Sequence, residues 1–129
     1  MNRKNADRAV FDASAVLALM QGEPGADRLK DRQRDAVVNA VNAAEVLAKL
    51  VNRGMPAAEA QAAYDALHLE TTPFEPAMVA ISARFVAKGV SLGDRCFLAA
   101  ALQHGSGWTS DRGLGTLLGS GLPPLKYFR

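Results

Sequence analysis

A chain of 129 residues suits one domain, and its 49% apolar and 22% charged residues are ordinary for a globular protein with a packed core. No run approaches the roughly 18 uninterrupted apolar residues of a membrane span, and the opening MNRKNADRAV has no apolar signal region behind its basic residues, so a soluble cytoplasmic protein is expected. One cysteine, Cys96, excludes an internal disulfide framework and a thiolate zinc cage, and a net charge of +2 is too slight to argue for nucleic-acid binding by itself.

Short β-rich runs alternate with helical patterns along the chain. Ala9-Val10-Phe11 reads as a strand stopped by Asp12, and ASAVLALMQG as a helix closed by Gly22. Pro24 opens a shorter, more polar helix, PGADRLKDRQ. Ala36-Val37-Val38 is the next strand. Asn42 then reads as the cap of a helix, AAEVLAKLVNRG, ending at Gly54. Pro56 opens the alanine-rich PAAEAQAAYDALHL, and LETTPF is a strand that Pro73 confines to an edge or an end. Pro76 opens PAMVAISARFVAKG, and Ser91 caps LGDRCFLAAALQHG, in which Cys96 reads as a small buried hydrophobe. A strand over Gly107–Ser110, a helical turn in RGLGTLLGSG and a last strand at Leu125–Tyr127 complete the chain. With no hairpin signal between β runs, the pattern predicts a three-layer α/β sandwich. A short, mostly parallel sheet is flanked by helices in a single domain over residues 1–129.

Four acids stand out by position. Asp12 and Asp111 end strands, while Glu45 and Asp94 each follow an expected helix cap, Asn42 and Ser91, by three residues. In a parallel α/β sheet, strand carboxyl ends and helix amino ends share one rim, where ligands usually bind. Each acid also has a structural reading as a cap or capping-box partner, and Glu45 could pair with Lys49 one turn on. Taken together they resist that reading. A helix amino end favours a carboxylate by roughly 0.3–1 kcal/mol, whereas two carboxylates about 4 Å apart repel by about 4 kcal/mol at an effective dielectric near 20. Gathered at one rim, the four acids would need protons or a cation, and carboxylate oxygens select Mg²⁺ or Mn²⁺.

No other constellation competes. His68 and His104 stand alone near helix ends, where contact with the helix dipole is the simpler role. The glycines of RGLGTLLGSG lack the lysine of a phosphate loop, and there is no G-x-S-x-G elbow. Asp12 has no second acid two residues on, which argues against an aspartyl-phosphate phosphatase.

Four pieces in register, VFDASAVLAL, NAAEVLAKL, SLGDRCFLAAAL and WTSDRGL, make the chain resemble the PIN-domain ribonucleases from about residue 9 to residue 128. The resemblance is to the VapC-type toxins of bacterial toxin–antitoxin pairs in particular. It implies an Mg²⁺- or Mn²⁺-dependent endoribonuclease with Asp12, Glu45, Asp94 and Asp111 in its pocket, as catalytic residues and metal ligands. Ser14 and Thr109 match small hydroxyl positions lining that pocket. Asn42 stands where the family often has serine or threonine, so its expected role is capping alone. Arg95 and Arg112, each following an acid, either grip RNA phosphates or compensate the acidic pocket. The resemblance further implies a cognate antitoxin and a homodimer. A housekeeping RNA-processing nuclease and a non-catalytic PIN binding module are the alternatives.

Overall fold

A computed structural model describes residues 7–129; the polar opening MNRKNA lies outside them. Five strands form one sheet: β1 (Arg8–Phe11), β2 (Val37–Asn39), β3 (Glu70–Thr72), β4 (Gly105–Thr109) and β5 (Leu125–Tyr127). Every pairing is parallel, in the order β3-β2-β1-β4-β5, with Val10 opposite Val37 and Phe11 opposite Trp108. The expected parallel sandwich is therefore the observed one, with the threonine-containing strand at an edge. Its short length fits the Pro73 that follows it.

Seven helices cover the sheet among the described residues: α1 (Ala13–Gln21), α2 (Ala26–Lys30), α3 (Ala40–Asn52), α4 (Ala57–Asp65), α5 (Pro76–Ala83), α6 (Leu92–His104) and α7 (Gly113–Leu118). Alternation along β1 divides the core. Ala9 and Phe11 face one cluster with Val16, Leu29, Val46, Leu50 and Tyr64 from α1 to α4. Val10 and Val37 face the other, with Met78, Phe97, Leu98 and Leu114 from α5 to α7. Strands covered on both faces must be apolar throughout, as Ala9-Val10-Phe11 is. The central helix α6 sits close on the sheet because Gly107 has no side chain; a Cβ there would come within 2.6 Å of the Phe97 ring.

Several boundaries differ from the sequence pattern. The helix expected from Pro24 to Gln33 is only α2, followed by a 3₁₀ turn over Gln33–Asp35. The helix opened by Pro76 ends at Ala83 rather than near Gly89, and β4 spans Gly105–Thr109 rather than Gly107–Ser110. The cap of α3 is Asn39, whose side chain accepts from Val41 N at 2.9 Å. Asn42 is thus inside the first turn and caps nothing, because the helix begins directly from β2. His104 departs from its expected role as well. Burial, then the nearby Arg8, lower its pKa and favour the neutral ring, which gives little to a helix dipole. His68 lies beyond α4 in a left-handed turn, with φ 53°.

Candidate functional site

The chain runs from β1 outward through β2 to β3, then returns to the other side of β1 for β4 and β5. The order reverses between β1 and β4. At such a switch point the loops leaving the carboxyl ends of two adjacent strands turn in opposite directions and open a crevice. Asp12 follows β1, and Asp111 follows β4 after Ser110.

That crevice is a cavity of about 190 Å³ whose wall includes Asp12, Glu45, Asp94 and Asp111 together with Ser14 and Lys49. All four acids singled out in the sequence are therefore brought to one place, from four separate segments. Each is fixed by a hydrogen bond made locally. Asp12 caps α1, accepting from Ala15 N at 2.9 Å and from the Ser14 hydroxyl at 2.6 Å. Ser14 Oγ also accepts from Ser110 N at 3.2 Å, tying the start of α1 to the end of β4. Asp94 completes a capping box on α6, accepting from Ser91 N at 3.0 Å while Ser91 Oγ accepts from Asp94 N at 3.1 Å. Asp111 accepts from Gly113 N at 3.0 Å, and its own amide donates to the buried Thr109 hydroxyl at 3.0 Å.

Glu45 is placed differently. Six residues past the true cap of α3, it cannot be a capping-box acid; instead the buried Asn42 donates Nδ2 to Glu45 Oε1 at 2.8 Å and to Gly93 O at 3.0 Å. Asn42 thus holds the acid of α3 against the first turn of α6, a polar role in place of the capping expected of it. Gly93 makes the approach feasible, since a Cβ at that position would run into the Glu45 carboxylate. The expected Glu45–Lys49 pair is not among the ion pairs of the described residues, although Lys49 borders the same cavity. None of the four acids pairs with a lysine or arginine among those residues. Arg112 turns away, donating Nε to Arg129 O at 2.9 Å, and so does not compensate the pocket by direct contact. Arg95 is half-buried on α6 beside Asp94.

Burial raises the Asp12 pKa and the charge of Asp94 adds to it, against hydrogen bonds from Ser14, Thr109 and Ala15. The donor set suits a hard divalent cation: carboxylate oxygens, plus the buried Asn42 Oδ1, which lacks a hydrogen-bond partner among the described residues. Among those residues, no three His, Cys, Asp or Glu side chains are grouped closely enough to hold an ion. Magnesium commonly keeps several waters and takes one or two carboxylates directly, so the set fits a cation whose coordination water completes. Gly93, Asn42 and Lys49 were not legible as site residues. For Gly93 the hint is a glycine in the first turn of a helix, where it costs about 0.5–1 kcal/mol relative to alanine; Asn42 and Lys49 enter the sequence reading only as a cap and as a pairing partner of Glu45.

A family model described as the PIN domain matches residues 9–114. Among solved structures, the fold is similar to a chain of VapBC2 from Rickettsia felis bound to a DNA fragment from its promoter. The TM-score is 0.69 at 10% identity, over 92% of this chain and 97% of that one. It is similar to FitAB bound to the IR36 DNA fragment, with TM-score 0.66 at 16% identity over 93% and 94% of the two chains. PAE2754 from Pyrobaculum aerophilum gives TM-score 0.60 at 18% identity over 88% of each. No curated protein matches the sequence. Since the family model spans most of the chain and the same fold recurs in these distant structures, the protein belongs to the PIN domain family.

Proposed function

We propose that the chain is a metal-dependent endoribonuclease, the toxin of a toxin–antitoxin pair, acting in the cytoplasm. The observation that carries the reading is the convergence of Asp12, Glu45, Asp94 and Asp111 on one cavity at the switch point of the sheet. Asp12, Asp94 and Asp111 would hold Mg²⁺ or Mn²⁺, directly or through water, and Glu45 would orient a water molecule. When bound, the cation supplies charge for the scissile phosphate and acidifies a bound water. Ser14 keeps Asp12 oriented, Thr109 holds the Asp111 amide, and Asn42 keeps Glu45 in place, so the acids would meet the substrate with their directions already set. Hydrolysis adds one water across a phosphorus–oxygen bond: its oxygen joins phosphorus, and its protons go to the leaving oxygen and to solvent. On this reading Arg95, which follows Asp94 in α6, would meet a neighbouring RNA phosphate.

The likeness of fold to a chain of VapBC2, the kind of pair the sequence resembles, supports a cognate antitoxin within the same reading, and the homodimer is carried by the sequence resemblance alone. Incubating the protein with total RNA, with Mn²⁺ or with EDTA, tests the activity. Cleavage that needs the cation and disappears in Asp12→Asn is expected; cutting that persists in EDTA, or in that variant, refutes the assignment.

A further inference from the structure

A second cavity, of about 420 Å³, carries the opposite charge. It is lined by Arg28 of α2, by Arg32, by Arg112 and by Lys126 of β5, against a single acid, Asp31, and Trp108 and Tyr127 also border it. Two of the cations are ordered by the rings of these two. Arg32 lies 5.6 Å from the centroid of Trp108 and Arg112 lies 5.4 Å from that of Tyr127. Each is further anchored on backbone, Arg32 to Asp7 O at 2.8 Å and Arg112 to Arg129 O at 2.9 Å. Arg28 and Lys126 are exposed and form no ion pair among the described residues. Arg32 also meets Asp35 at 3.5 Å, which leaves Arg28, Arg112 and Lys126 without an ion pair among the described residues. Three such cations beside one acid call for an anionic occupant. Rings and guanidinium planes call for flat groups to stack on, and both demands are met by the nucleotides of a single strand. A duplex hides its base faces and meets only the first.

The two cavities lie on either side of one turn of the chain. Asp111 borders the acidic one and Arg112, the next residue, borders the basic one. Consecutive Cα atoms are about 3.8 Å apart, so a strand with one phosphate at the acids needs to cross only the Ser110–Arg112 turn to reach the cations. We propose that the basic cavity is a second RNA subsite, which holds the single-stranded segment flanking the bond that is cut. The identity of the nucleic acid rests on the nuclease reading; the anionic, base-stacking character does not.

The test is fluorescence anisotropy with a short, labelled, mixed-sequence single-stranded RNA in EDTA, where cutting is suppressed, across a series of salt concentrations. In the Arg28→Gln/Lys126→Gln double variant, the slope of log affinity against log salt should fall by about 0.7 for each phosphate that is no longer neutralised. Tyr127→Leu should weaken binding roughly 5- to 100-fold, the range for stacking of one base. Thermal melts confirm that each variant is folded, and the charge pair carries the test should Tyr127→Leu not fold. Wild-type slope and affinity in the double variant, or heparin binding to the wild type as tightly as the RNA does, would overturn the proposal. The two readings fail separately. Wild-type protein that binds this RNA as described but cuts none in Mn²⁺ removes the nuclease and leaves the subsite; a double variant that binds and cuts long RNA like the wild type removes the subsite and leaves the nuclease.

Discussion

Gly93 has no side chain, and the Glu45 carboxylate occupies the space one would fill. Its backbone is not in the left-handed region, so alanine is allowed there by conformation and excluded only by its neighbour. Gly93→Ala therefore sets two effects against each other. Alanine in a helix gains about 0.5–1 kcal/mol over glycine. Moving the end of the flexible Glu45 side chain breaks its bond with Asn42, and a hydrogen bond to a charged group contributes about 1.5–3 kcal/mol. The balance is a destabilisation of about 1–2 kcal/mol, small enough to leave the protein folded. Activity has no such compensation, because displacing a catalytic group by about 1 Å can cost on the order of 100-fold. Urea melts and single-turnover cleavage in saturating Mn²⁺ measure the two effects. If Gly93 acts through Glu45 alone, adding Gly93→Ala to Glu45→Ala removes no further activity and recovers about 0.5–1 kcal/mol of stability. A wild-type rate in Gly93→Ala, or the same loss in both backgrounds, would refute the argument that this glycine exists to seat Glu45.

Asp12→Asn keeps an acceptor for the Ala15 amide but removes a carboxyl whose pKa burial raises. A raised folded-state pKa means stability that is full below the ordinary value of 3.8 and declines as pH rises through the raised one, so the metal-free wild type should lose a contribution on that rise that the variant retains. Melts in EDTA should place Asp12→Asn at or above the wild type at neutral pH, and Mn²⁺ should raise the wild-type midpoint alone. Ser91→Ala and Asp94→Asn separate cap from catalyst on α6. The first should cost about 0.5–2 kcal/mol and leave most activity, while the second, still an acceptor for Ser91 N, should melt nearly as the wild type and cleave nothing. Asn42→Ala should destabilise by about 1–3 kcal/mol and lower cleavage through a misplaced Glu45, and wild-type cleavage by a folded Asn42→Ala protein would deny it a positioning role.

The parallel sheet was legible because both faces of its central strands are covered, which leaves their apolar character uninterrupted, and because no turn between β runs permits a hairpin. The acids were legible for a similar reason. Strand ends and helix starts lie on one rim whatever the details of packing. What could not be read is what depends on distance. The backbone enters α3 directly from β2, so Asn39 caps and Asn42 is displaced inward; a shift of three residues turned an expected cap into the support of Glu45. The bond from Asn42 to Gly93 crosses 51 residues of chain and follows from how closely α3 and α6 approach, which no periodicity encodes. Arg112 was placed beside Asp111 by sequence, yet consecutive residues point to different sides, and its guanidinium joins Tyr127 instead. Trp108 and Lys126, both in short strands, carried no sign of a shared cavity until the parallel register set them side by side.

Capping and chemistry are not alternatives at this site. Asp12, Asp94 and Asp111 each commit one oxygen to the local backbone: Oδ1 of Asp12 to Ala15 N, Oδ2 of Asp94 to Ser91 N, Oδ1 of Asp111 to Gly113 N. Glu45 commits Oε1 to Asn42. A carboxylate has two oxygens and about four acceptor positions, so one such bond fixes its direction and leaves capacity for a cation or a water. The same bonds lessen the penalty of assembling the acids, since amide dipoles at helix amino ends favour negative charge without neutralising it. A lysine or arginine in their place would have relieved the repulsion more fully and left no need for a divalent ion. The acids are therefore held by groups that orient charge and do not cancel it, which is the condition under which a cation would be their partner on the proposed reading.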